Sequence, residues 1–307
     1  MLFHFATLHK EANMRLISLV QAAFFCIIIA SPTVARAPNV LTDTRVTHSL
    51  VTLVMGDTGA PSLLLDALSD PHHAQLRPSQ ARALAQADVF FWIGAPLTPW
   101  LENKVETLLP QGAAFALLGF KGTELRAFEE DHDDDALDPH AWLDPTNARV
   151  WLAEIATILS KFDPENADTY RANAIRAQSE IDALSAQIAA DLTFQKPRNY
   201  IASHDAFDYL SARFNLHIVA SISDGHANAP GAASLSALRR TIENQTIDCI
   251  FSETPGPDLQ AARIAADTGI PLALLDPTGA MQDAGPALYG AMMRKLANDI
   301  ARCGAPK

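Results

Sequence analysis

The sequence predicts an α/β protein built as two similar lobes with mainly parallel sheets. Three observations carry that reading: short apolar runs alternate with helical patterns, the alternation occurs twice, and one long amphipathic stretch separates the two series. At 307 residues, 49% hydrophobic and 19% charged, the chain is long enough for one large or two ordinary domains with a sizeable core.

In the first half the strand candidates are "VLTDT", "SLLLDAL", "DVFFWIG" and "AAFALLGF". In the second they are "NYIAS", "LHIVAS", "DCIFSE" and "PLALLD", each followed by Gly, Pro, Asp or His before a helical stretch. Between them Tyr170, Ala174, Ala177, Ile181, Leu184, Ile188 and Leu192 recur at steps of three or four, the spacing of one helix face. That helix opens after Asp163-Pro164 and stops before Lys196-Pro197, where proline forbids continuation. The expected organisation is a lobe over residues 38–163, a rigid linking helix over 164–195 and a second lobe over 196–307. Two such lobes leave a cleft between them, at the carboxyl ends of their strands.

Residues 14–37, "MRLISLVQAAFFCIIIASPTVARA", combine a basic start, an apolar run and Ala-Arg-Ala before Pro38, the pattern of a cleaved secretory signal peptide. Residues 1–37 are therefore read as a leader, with Met14 the expected start. Its apolar run, Leu16 to Ala30, is too short to span a bilayer comfortably, and no later stretch offers about 18 consecutive apolar residues. The leader holds three basic residues and one acidic, so its removal leaves 20 basic against 34 acidic residues, a formal charge of −14. That balance argues against a nucleic-acid partner and favours a cation, which a negative field concentrates. Cys249 and Cys303 remain, and an even count in an exported chain suggests a disulfide, although spacing alone leaves the pairing open.

Four candidate metal ligands lie just past strand candidates: His72 in "DPHHAQLRPS", His140 in "DPHAWLDP", His204 in "SHDAFDYL" and Asp276 in "LDPTG". Two belong to each half. Three imidazoles and a carboxylate suit Zn²⁺ in tetrahedral geometry, whereas Mg²⁺ or Ca²⁺ would demand mostly oxygen donors. Each residue also has a plain structural reading: His204 as a helix cap, Asp276 as the start of a turn with Pro277, His140 as a loop histidine.

Together these strings resemble the ZnuA-like zinc-binding periplasmic subunits of bacterial metal ABC importers, in a cluster that also contains manganese binders. The resemblance runs over residues 38–303 through "HHAQLRPSQARAL", "DVFFWIG", "DPHAWLDP", "HDAFDYL" and "LLDPTG". It implies two four-stranded α/β lobes, a rigid linking helix, a metal in the cleft and a Cys249–Cys303 disulfide. It selects His72 over His73, places Zn²⁺ on His72, His140, His204 and either Asp276 or water, and implies a membrane permease as partner and a periplasmic location. A monomer is expected.

Zinc-specific relatives carry a histidine-rich loop before the Pro-His motif; here residues 127–137 are acidic, with His132 the one imidazole. The loop is read either as an electrostatic collector of cations or as a solvated tip. His73, His132 and His226 are the possible accessory ligands, His226 because its loop is rich in Gly and Pro. The other readings are a manganese or iron binder of the same cluster, a metal-binding adhesin, and a zinc-dependent hydrolase. The last gets little help, since the sequence has no His-Glu-x-x-His helix and no Gly-x-Ser-x-Gly elbow.

Overall fold

The computed structural model describes residues 37–109, 113–128, 137–254 and 258–304. The leader, apart from Ala37, and most of the acidic loop, with His132, lie outside them. Two four-stranded parallel sheets form the frame. The first, in the order β2-β1-β3-β4, uses β1 (Val40–Thr42), β2 (Ser62–Leu63), β3 (Val89–Trp92) and β4 (Ala114–Ala116). The second, in the order β6-β5-β7-β8, uses β5 (Asn199–His204), β6 (His217–Ser223), β7 (Cys249–Glu253) and β8 (Leu272–Leu275). All eight apolar runs read from the sequence supply these strands. Two runs stop being strand early: "AAFALLGF" turns into a 3-10 helix at Leu117–Gly119, and "SLLLDAL" leaves the sheet after Leu63.

Every residue of β1 and β3 is buried, as expected of central parallel strands covered on both faces. The helices that cover them are α1 (Arg45–Met55), α2 (Pro78–Ala85), α3 (Pro99–Leu108) and α4 (Pro145–Phe162) in the first half. The long α5 (Ala167–Asp191) follows, then α6 (Asp208–Phe214), α7 (Ala232–Asn244), α8 (Leu259–Thr268) and α9 (Leu288–Arg302). On α5 the buried face is Tyr170, Asn173, Ala174, Ala177, Ile181, Leu184 and Ile188, the helical stripe of the sequence. The first residues after Asp163 form a 3-10 turn, Pro164–Asn166, because the Asp163 carboxylate accepts from the Asn166 amide at 2.8 Å and the Tyr170 hydroxyl at 2.7 Å.

The two halves repeat a bracket at the start of their sheets. Asn39 donates its N–H to Asp88 at 2.7 Å and its amide to the Gln86 carbonyl at 2.8 Å. Asn199 does the same with Asp248 at 2.8 Å and Thr246 at 2.9 Å. Each bracket ties the entrance of a first strand (β1, β5) to that of a third (β3, β7).

A single apolar core crosses from one half to the other. It includes Val40 and Phe91 of the first sheet, Tyr170 and Ile181 of α5, Phe251 of the second sheet and Met292 of α9. The Cys249–Cys303 disulfide closes it, joining the start of β7 to the end of α9. A loop of 54 residues so closed stabilises the fold by about 4 kcal/mol on loop-closure entropy.

Candidate metal centre

Two of the three histidines arise from the same local device. In Asp70-Pro71-His72 and Asp138-Pro139-His140 the aspartate Oδ1 accepts the main-chain N–H of the histidine two residues on, at 2.9 Å in both. The aspartate bends the chain so that the imidazole leaves the turn at a fixed angle. Trp100 Nε1–H donates to the Pro71 carbonyl at 2.8 Å, which pins the first turn to α3. Past the second turn, Trp142 Nε1–H donates to Pro277 O at 2.8 Å and Tyr289 O–H to Trp142 O at 2.9 Å, binding it to the opposite lobe. The third histidine, His204, is the last residue of β5.

Among the described residues, His72, His140 and His204 form a group in which one potential ligand atom from each lies within 4.8 Å of the others. Ring centroids are 4.8 Å apart for His140 and His204, 5.3 Å for His72 and His140, and 5.5 Å for His72 and His204. His140 Nδ1 donates to Asp138 Oδ1 at 2.6 Å, so its Nε2 carries the lone pair, and that atom lies 3.3 Å from His72 Nε2. His72 Nδ1 is buried without a hydrogen-bond partner among the described residues. Convergent basic nitrogens away from water are costly unless a cation joins them, and this donor set fits Zn²⁺ as cargo.

Electrostatics divide the group. Burial, then repulsion by the other imidazoles, lowers His72 to about 2. Burial holds His140 well below the usual histidine range. Burial also pushes His204 down, but the Glu253 charge and hydrogen bond, with the Gly225 carbonyl and Asp205, lift it to about 9. Two of the imidazoles are therefore neutral, and one carries a proton at neutral pH. Around them burial raises Asp138 to about 7, and burial with the charges of Asp138 and Asp208 raises Asp205 to about 6. Burial thus favours their uncharged forms, and a divalent ion placed among them would draw out their charge.

The remaining sequence candidates stand elsewhere. Asp276, expected as the fourth ligand, is placed outside the group: its two oxygens accept from the Ala280 and Met281 N–H groups, each at 2.8 Å, which makes it the anchor of the turn after β8. His73 is exposed with its ring 6.3 Å from that of His72. His226 sits at the rim, 6.2 Å from the His72 ring and 5.6 Å from that of Phe128. Its N–H is held by Asp224 Oδ1 at 3.0 Å, an echo of the other two turns. Sequence reading missed Asp138 and Glu253 as partners of the histidines. For Asp138 the repeated Asp-Pro-His tripeptide was the available signal; for Glu253 there was none, because it meets His204 across 49 residues of chain.

Two α/β lobes on a shared helical spine, with three imidazoles from both lobes converging between the sheets, define a metal-binding member of the two-lobed solute-binding proteins. The family described as ZnuA, zinc-uptake complex component A, periplasmic, matches residues 40–303, and the chain belongs to it. It is similar to the high-affinity zinc uptake system protein ZnuA of Paracoccus denitrificans (strain Pd 1222), with 38% identity over 89% of this chain and 94% of that one. The protein of that name from Brucella abortus (strain 2308) is 30% identical over 92% of this chain and 96% of its own length. A crystal structure of ZnuA shares the fold with a TM-score of 0.76 at 24% identity, covering 88% of this chain and all of the other.

Proposed function

We propose that this chain is the exported binding component of an ABC-type importer: it captures Zn²⁺ with His72, His140 and His204 and delivers it to a membrane permease. It acts as a monomeric carrier in the periplasm, not as an enzyme, after removal of residues 1–37. The observation that carries this reading is the convergence of three imidazoles, two of them neutral and nearly buried, at 8% and 3% exposure. Neutral nitrogen donors favour zinc over harder ions. Further support comes from relatives named for high-affinity zinc uptake. No helix among the described residues is long and apolar enough to cross a membrane, which agrees with a carrier that meets its permease from outside. The fourth position of the ion falls to Asp276 or to water, and Asp276→Ala separates the two.

The test is the metal content of natively purified mature protein, followed by competition among zinc, manganese and iron. Zinc in one equivalent, retained against the other two, is the expected result. A preference for manganese or iron would move the chain to the other branch of its cluster, and zinc-dependent hydrolysis of ester or peptide substrates would make it an enzyme.

A further inference from the structure

We infer that Glu253 is the positioning residue that fixes which nitrogen of His204 faces the ion; this rests on the zinc-binding reading above. The strand register creates the pair. β5 and β7 are neighbours, with Tyr200 opposite Cys249, Ile201 opposite Ile250 and Ala202 opposite Phe251. Continued by two residues, that register sets His204 beside Glu253 at the carboxyl ends of both strands. This is also where the chain order of the second sheet reverses, since β6 lies on one side of β5 and β7 on the other. Such a switch point opens a crevice at the strand ends, so a side chain placed there faces the cleft.

The carboxylate is held at both oxygens. Ser203 donates its hydroxyl to Glu253 Oε1 at 3.0 Å, while Oε2 stands 3.4 Å from His204 Nδ1. Ser223 in turn donates to the Ser203 carbonyl at 2.6 Å, which steadies the strand that carries the hydroxyl. Glu253 and His204 are both largely buried, with side chains 16% and 14% exposed, so the carboxylate has little water to turn toward. An Nδ1–H donated to Glu253 leaves Nε2 as the coordinating atom, the arrangement in which an outer carboxylate orients a ligand imidazole and raises its basicity. His204 Nε2 lies 3.3 Å from the Gly225 carbonyl. The ion therefore takes over a nitrogen that the loop after β6 holds, and Glu253 keeps the ring from rotating while that exchange occurs. Glu253 thus does for His204, by strand register, what Asp138 does for His140 from two residues away.

The test uses the mature protein loaded with one equivalent of zinc and reads affinity by chelator competition. Imidazole protonation is read by long-range proton–nitrogen correlation spectra. In the wild type His204 should show a protonated Nδ1 and a zinc-bound Nε2. Glu253→Ala should weaken zinc about 10- to 100-fold and lose the protected Nδ1–H signal. Glu253→Gln, whose amide oxygen still accepts from Nδ1, should keep that signal and recover part of the affinity. Should the alanine variant fail to fold, the glutamine variant still decides: loss of the protected Nδ1–H signal with affinity equal to wild type overturns the proposal. Lowered thermal stability with unchanged zinc affinity and an unchanged His204 spectrum also overturns it, making Glu253 structural only. Loss of binding in Glu253→Gln as complete as in His204→Ala overturns it too, by making Glu253 a ligand. A wild type that binds no zinc defeats the functional reading itself, and this inference with it.

Discussion

His140 Nδ1 stands 2.6 Å from Asp138 Oδ1, and the same oxygen accepts the His140 main-chain N–H at 2.9 Å. One carboxylate thus sets both the path of the chain and the tautomer of the ring. Asp138→Ala should therefore lower zinc affinity about 10- to 100-fold by loosening His140 while the ring itself is retained. Removing His72, His140 or His204 itself should cost more, and His73→Ala, which alters an exposed neighbour, should change nothing. Chelator competition, with circular dichroism to confirm folding, measures all five variants. If His73→Ala were harmful and His72→Ala harmless, the assigned histidine would be off by one position.

Zinc binding should release a proton in a defined pH window. His204 titrates at about 9 in the metal-free protein, whereas His72, at about 2, and His140, well below its usual range, are already neutral. At pH 8, above the value of about 7 for Asp138, His204 should give up about one proton to the incoming ion; by pH 10 the release should vanish. The sign for stability is opposite to that of a buried carboxylate in an ion pair. Because the folded value is raised, the His204 contribution to metal-free stability is full below about 6.5 and fades as pH climbs through about 9. Calorimetric titration in two buffers of different ionisation heat reads the proton count.

Excision of residues 129–136, which carry six acidic residues, should slow zinc association without altering the final affinity. The cut is clean because Ala127 and Leu137 already pair as an antiparallel bridge and Asp138 N–H donates to Arg126 O at 2.9 Å. Charges outside the site change approach more than contact, and their influence fades beyond about 10 Å at moderate salt. Stopped-flow rates should differ at low ionic strength and converge as salt rises. Equal rates throughout would leave the loop a solvated tip.

His204→Glu should narrow the preference for zinc over manganese. The wild type should hold zinc at least about a hundredfold more tightly, roughly 2.7 kcal/mol, since nitrogen donors favour zinc. Exchanging an imidazole for a hard oxygen should reduce that gap chiefly through lost zinc affinity. A competition titration of the two proteins checks this; an unchanged ratio would remove His204 from the site.

Much of this arrangement was legible in the residues. Runs such as "DVFFWIG" became strands because a central parallel strand buried on both faces has to be continuously apolar, and that requirement is visible without coordinates. The stripe from Tyr170 to Ile188 became the buried face of α5 for the same kind of reason. Asp276 illustrates what spacing alone hides: "LDPTG" suits an ion ligand and a turn anchor equally, and only the fold shows both oxygens accepting main-chain N–H groups of the turn. Glu253 was illegible for a different reason. Its partner is chosen by the pairing of two strands, so nothing near either residue in the chain announces the other.

The apolar core that runs unbroken through both halves bears on how this molecule can move. Two lobes that shared only a slender linker could swing apart like the covers of a book, but here such a swing would tear open packed surface around Tyr170, Ile181 and Met292. Capture and surrender of an ion should therefore fall to a short segment at the rim, the stretch near Gly225 whose carbonyl lies 3.3 Å from His204 Nε2. A body so packed should keep one silhouette with cargo and without it. A recipient that tells full from empty must sense the cleft's own lip, a few side chains wide, rather than the posture of the whole body.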